Sequence, residues 1–138
     1  MKNIEKLNRS LTEFYDKMSS WEQSVVKDTP YSLAQIHTIE VLGHHQALRM
    51  KDLAEKLAIT TGTLTVQIER LVAAELVERV ADPQDRRAIV VVLTEQGKAI
   101  YQQHNQLHLD LVKELSKHIE PEQMAVLLDS LDKINNEF

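Results

Sequence analysis

Cysteine is absent from this 138-residue chain, which excludes disulfides, thiol catalysis, cysteine-bound zinc and peroxide sensing through a thiol. Glycine is scarce, with three residues in all, so a glycine-rich phosphate loop has no material to form from. Aromatic residues reach only 4%, and the core must rest on Leu, Ile, Val and Ala. No long hydrophobic run occurs: the longest, Ala88 to Leu93, is far too short to span a bilayer. There is no signal peptide pattern either, and a cytoplasmic protein without a membrane partner is expected. No Ser-His-Asp or Cys-His set is present, so the expectation is not an enzyme and no cofactor. Positive charge is also short, 16 Lys and Arg against 21 Asp and Glu, for a net charge of −5.

What is present is helical periodicity. Ile4, Leu7, Leu11, Phe14, Met18, Trp21 and Val25 alternate by three and four, the spacing of a coiled-coil seam over a helix from about Asn3 to Val26. Pro30 breaks it. Ser32 and Gln35 form a capping box for a second helix through about Gly43, with Leu33, Ile36, Ile39 and Leu42 as its buried face. A short helix from Lys51 to Leu57, a turn, and a helix from Thr61 to Ala74 read as a helix-turn-helix, with Leu53, Ala54, Leu57, Ile59, Leu64, Ile68 and Leu71 inside. Glu95 to about Ile119 and Pro121 to Asn136 are two further helices, the last burying Met124, Leu127, Leu128, Leu131 and Ile134.

Between helix-turn-helix and long helix lies the most informative stretch, residues 76–97. A run from Leu76 to Val80 and a β-branched run from Ala88 to Leu93 flank the polar tip Ala81-Asp82-Pro83-Gln84-Asp85-Arg86-Arg87. The pair reads as a hairpin, and Thr94 offers an N-cap to the helix after it. A hairpin that carries two adjacent arginines, directly after a helix-turn-helix, is the wing of a winged helix. The expected fold is mainly α with a small β-hairpin wing. It is one domain over 1–138, with dimerisation helices at 1–30 and 95–138 and a winged helix-turn-helix at 31–94.

The spacing of Asp85, Arg87, Leu93-Thr94 and Gly97, with the order of elements before it, resembles the MarR (multiple antibiotic resistance regulator) family of bacterial transcription factors, over essentially the whole chain. The resemblance implies a sequence-specific DNA-binding regulator, acting as a repressor and as a homodimer on a palindromic operator in double-stranded DNA. The second helix of the helix-turn-helix then enters the major groove, with Thr61, Thr63, Thr65, Gln67 and Arg70 on its polar face. The residue matching Arg87 enters the minor groove, Asp85 holds it, and Arg86 suits a phosphate. Three departures stand out: Val66 and Ala73-Ala74 where the family usually carries basic residues, and Glu75 where it usually has glycine.

Charge distribution softens the acidic balance. Residues 49–93 hold seven basic side chains (Arg49, Lys51, Lys56, Arg70, Arg79, Arg86, Arg87) and seven acidic ones, so the negative excess lies outside them. A neutral DNA-binding part keeps a second reading open, a winged-helix module that binds protein instead of DNA.

The stretch from Gln35 to Gly43, and the placement of His104 and His108 after Gly97, also resemble the branch of the family that represses fatty-acid synthesis genes. That branch implies an acyl chain on its carrier protein as effector. Met18, Trp21, Ile36, His37 and Leu107 are candidate lining for a small apolar or acyl-type effector between the first, second and fifth helices. The same residues serve equally as core. His104 and His108 have the one-turn spacing of a zinc-binding pair. No third ligand stands at a recognisable spacing, so no metal is assigned and an ordinary solvated or interfacial helix is expected there.

Overall fold

The computed structural model describes residues Met1–Phe138. Six helices and three strands follow in the order α1 (Lys2–Val26), α2 (Leu33–His45), β1 (Ala47–Arg49), α3 (Met50–Leu57), α4 (Thr61–Ala73), β2 (Val77–Ala81), β3 (Ile89–Leu93), α5 (Glu95–Ser116) and α6 (Pro121–Asn135). The chain divides into two compact units, Met1–Tyr101 and Gln102–Phe138. No helix is long and apolar enough to cross a membrane.

The first unit is organised by the core beneath the helix-turn-helix. Ile39 and Leu42 of α2, Leu53 and Ala54 of α3, Leu64, Ile68 and Leu71 of α4, and Val77, Val91 and Leu93 of the sheet form one buried cluster. The small Ala54 is part of it, which lets α3 and α4 approach closely. The capping box of α2 is realised: Ser32 Oγ accepts from the Gln35 N–H, and Gln35 Oε1 accepts from the Ser32 N–H. α2 runs two residues further than periodicity suggests and stops at Gln46, whose φ is 68°.

The sheet has the order β1-β3-β2, antiparallel throughout. β1 is the element that sequence patterning missed: three residues are too few to show a period of two. Its pairing of Leu48 with Val91 makes β3 the central strand, which accounts for the β-branched density of Ile89-Val90-Val91-Val92.

Several residues expected inside are open in the single chain. The α1 seam is uncovered along most of its length, from Ile4, 66% exposed, to Phe14; only Val26 of that helix is buried. Leu33, at the first position of α2, is exposed rather than part of the buried face. In the second unit, α6 starts on a Glu120–Gln123 capping box with Pro121 in its first turn. None of its residues is buried; Leu127, Leu128, Leu131 and Ile134 are all exposed and Met124 is half-buried. The stripes exist as expected, but a single chain has nothing to cover them. α5 ends at Ser116, three residues before Ile119, in a tight turn where the Ile119 N–H donates to Ser116 O.

Candidate nucleic-acid interface

The turn between α3 and α4 is set by Ala58, which takes a left-handed conformation with φ 56°. Its N–H and that of Ile59 close onto Glu55 O and Ala54 O, satisfying the end of α3. Thr60 then caps α4 by accepting from the Thr63 N–H. Thr61, Thr63, Thr65, Val66, Glu69 and Arg70 are exposed on α4, with Val66 50% accessible. Two hydroxyls are already engaged: Thr65 donates to Thr61 O, and the Thr63 oxygen accepts from Thr60. They retain acceptor capacity for a base edge. Gln67 departs from the expected polar face. It is half-buried, and its Oε1 accepts from the Thr38 hydroxyl of α2 at 3.2 Å. Thr38 is itself fully buried, so Gln67 ties α4 to α2 rather than facing outward.

The wing tip is organised by two aspartates. Asp82 accepts the Gln84 N–H through Oδ1 and the Arg49 guanidinium through Oδ2, the latter at 3.0 Å. The Gln84 N–H first, and the Arg49 guanidinium second, hold the Asp82 carboxyl below the usual carboxylate range. Asp85 repeats the local turn two residues on: its Oδ1 accepts the Arg87 N–H at 3.1 Å and lies 3.7 Å from Arg87 Nε. The side chain of Arg87 is otherwise 95% exposed. Its backbone is therefore fixed while its guanidinium projects into solvent. Arg49 sits at the end of β1 opposite Val90, and its pairing with Asp82, the first residue of the tip loop, removes it from the set of unengaged phosphate-binding cations.

The base of the wing explains the rest of the motif. Thr94 donates its hydroxyl to Glu75 O at 2.6 Å and its N–H to Leu76 O, and it accepts the Gly97 N–H. One residue thus joins the end of α4, the end of β3 and the first turn of α5. Gly97 is required by close approach: a Cβ there would run into the Leu76 carbonyl oxygen. Glu75 has φ 62°, a left-handed conformation that disfavours any residue with a Cβ. The backbone for which the resemblance implies a glycine is kept, with strain.

Away from this surface, α1 and α2 enclose a crevice of about 700 Å³ lined by Tyr15, Met18, Ser19, Glu22, Leu33, Ala34, His37 and Glu40. Of the lining expected from sequence, Met18 and His37 are present. Ile36 is 3% exposed in the core, Trp21 does not line the crevice, and Leu107 belongs to the second unit. Sequence reasoning missed Glu22 and Glu40, whose carboxylate oxygens lie within 4.8 Å of each other. Burial first, and the Glu22 charge second, push the Glu40 carboxyl up to about 7. Their signal was an apolar helix pattern interrupted by acids, which reads equally as solvated surface.

Comparison with known proteins follows the same lines. The family model described as "MarR family" matches residues 31–89. The Escherichia coli (strain K12) "Multiple antibiotic resistance protein MarR" is 38% identical over 84 residues, which are 60% of this chain and 58% of that protein, less than two thirds of its length. A crystal structure of Streptococcus pneumoniae FabT in complex with DNA superposes with a TM-score of 0.82 at 25% identity, covering 96% of this chain and 95% of that one. A mutant MarR from E. coli complexed with operator DNA gives a TM-score of 0.69 at 28% identity, over 96% of this chain and 95% of that one.

Proposed function

We propose that this chain is a sequence-specific DNA-binding transcriptional repressor of the MarR family, whose model matches residues 31–89. The observation that carries the reading is the wing tip, where Asp85 fixes the backbone of Arg87 and lies 3.7 Å from its Nε, while the Arg87 side chain stays 95% exposed. A cation so placed suits the narrow, electronegative minor groove of an A·T-rich segment. α4 enters the adjacent major groove with Thr61, Thr63, Thr65 and Arg70, and Val66 meets a thymine methyl group. Arg86 contacts phosphate. The structures of FabT and MarR named above, both bound to DNA, support this assignment.

The active species in this reading is a homodimer built from the terminal helices, which covers the open stripes of α1 and α6. Such an interface buries at least about 2,000 Å². A stable folded monomer in sedimentation at micromolar concentration would refute it. The α1–α2 crevice is the effector site in the same reading. Its apolar lining from Tyr15, Met18 and Leu33 accepts an apolar or acyl-type molecule, while Glu22 and Glu40 disfavour an anionic end.

Fluorescence anisotropy of the untagged full chain against DNA upstream of its own gene tests the function. The expected result is a saturable complex that survives excess non-specific duplex. No specific binding even at low salt contradicts it and favours the protein-binding module.

A further inference from the structure

The second unit carries a feature that DNA recognition does not use. Most of the α5 surface there is open, yet His104 is 6% exposed; apart from Thr38 it is the chain's one buried polar residue. His108, one turn on, is half-buried. Their rings meet edge to face with centroids 4.9 Å apart, and each presents a nitrogen within 4.8 Å of the other's. Neutral imidazole is the form that ligates zinc-class metals.

We propose that His104 and His108 bind a divalent transition-metal ion of the zinc class. A tetrahedral ion with Zn–N bonds of about 2.0–2.1 Å holds two nitrogens roughly 3.4 Å apart. Small side-chain rotations reach that separation from the observed arrangement, because the helix already fixes both Cα positions on one face. The sequence argued against a metal for want of a third ligand at a recognisable spacing. That objection concerns spacing along the chain, and metal ligands assemble in space. Absence of cysteine makes this an imidazole and oxygen site, which suits zinc, cobalt or nickel and disfavours monovalent copper.

The test is titration of the untagged full chain, stripped with chelator, using Zn²⁺ against a chromophoric competitor and Co²⁺ as an absorbing probe. One ion per chain is expected, with visible cobalt bands of a low-coordinate site. His104→Ala and His108→Ala should each weaken binding by about tenfold or more. His108→Ala, at the less buried position, keeps the test valid if His104→Ala does not fold, and circular dichroism reports folding in each. Unchanged affinity in folded His108→Ala, or no saturable binding by the wild-type chain, overturns the proposal.

Discussion

The wing and the recognition helix offer DNA two opposite chemistries. The wing tip is charged and held in place: Asp82 and Asp85 each accept a backbone N–H two residues on, and Arg86 and Arg87 stand at the end of the loop so formed. The exposed face of α4 is nearly neutral, with three threonines, Val66, and Glu69 beside Arg70. Arginine at a hairpin tip gains from the focused potential of a narrow groove. Threonine and valine gain only from close fit to base edges. In the proposed DNA-binding role, the difference divides attraction and sequence reading between the two elements, and the wing must be held rigidly for its charge to count.

The strongest way to break that division is at the wing base. Gly97→Ala forces a Cβ against the Leu76 carbonyl oxygen, which cannot swing aside as a side-chain tip does. We expect a loss of about 3 kcal/mol in stability, measured by chemical denaturation, with a larger fall in operator affinity than in bulk helicity. A wild-type midpoint would show that α5 and β2 are less tightly joined than the hydrogen bonds of Thr94 imply.

Next in size is Arg87→Ala, at about 1–3 kcal/mol of specific affinity per half-site. Asp85→Ala should cost less, because it loosens the loop without removing the charge. Anisotropy on the two variants, with circular dichroism as control, checks the order. If Asp85→Ala is the more damaging, the aspartate has a role beyond holding Arg87. Unchanged operator affinity in Arg87→Ala removes the functional meaning of the wing.

Much of this was legible in the sequence, and the misses have physical causes. Periodicity and caps located all six helices, since Ser32-x-x-Gln35, Pro121 and Thr94 are local signals with local consequences. The wing was legible because Asp85, Arg87, Thr94 and Gly97 act within a few residues of one another. Gln67 was misplaced because helical spacing alone cannot tell a polar residue that bonds a buried neighbour, here Thr38, from one that faces solvent. Counting charge along residues 49–93 does not reveal that Arg49 is engaged, because its partner, Asp82, is thirty-three residues away. The strand β1 was too short to register. His104 sits among Gln102, Gln103 and Asn105, and nothing in that composition announces its burial.

A smaller effect sharpens the comparison from the other side. Glu75→Gly relieves the left-handed strain at the end of α4 and should raise stability by about 1 kcal/mol. It also removes a negative charge beside the recognition helix, so non-specific DNA affinity should rise slightly. A lower melting temperature would show that the Glu75 side chain makes a compensating contact.

The direct test of the division of labour is the salt dependence of the wild-type complex. Affinity falls with a log–log slope of about −0.9 per phosphate neutralised. With Arg49 held by Asp82, the candidates on each subunit are Lys51, Arg70, Arg79 and Arg86, besides Arg87 in its groove. A dimer using two or three of them per subunit together with Arg87 should show a slope of about −5 to −7. A measured slope in that range, lost in part with Arg87→Ala, is what a charged wing beside a neutral recognition helix predicts. A slope near −10, as for a strongly basic binder, contradicts it and means that the helix face grips phosphate after all.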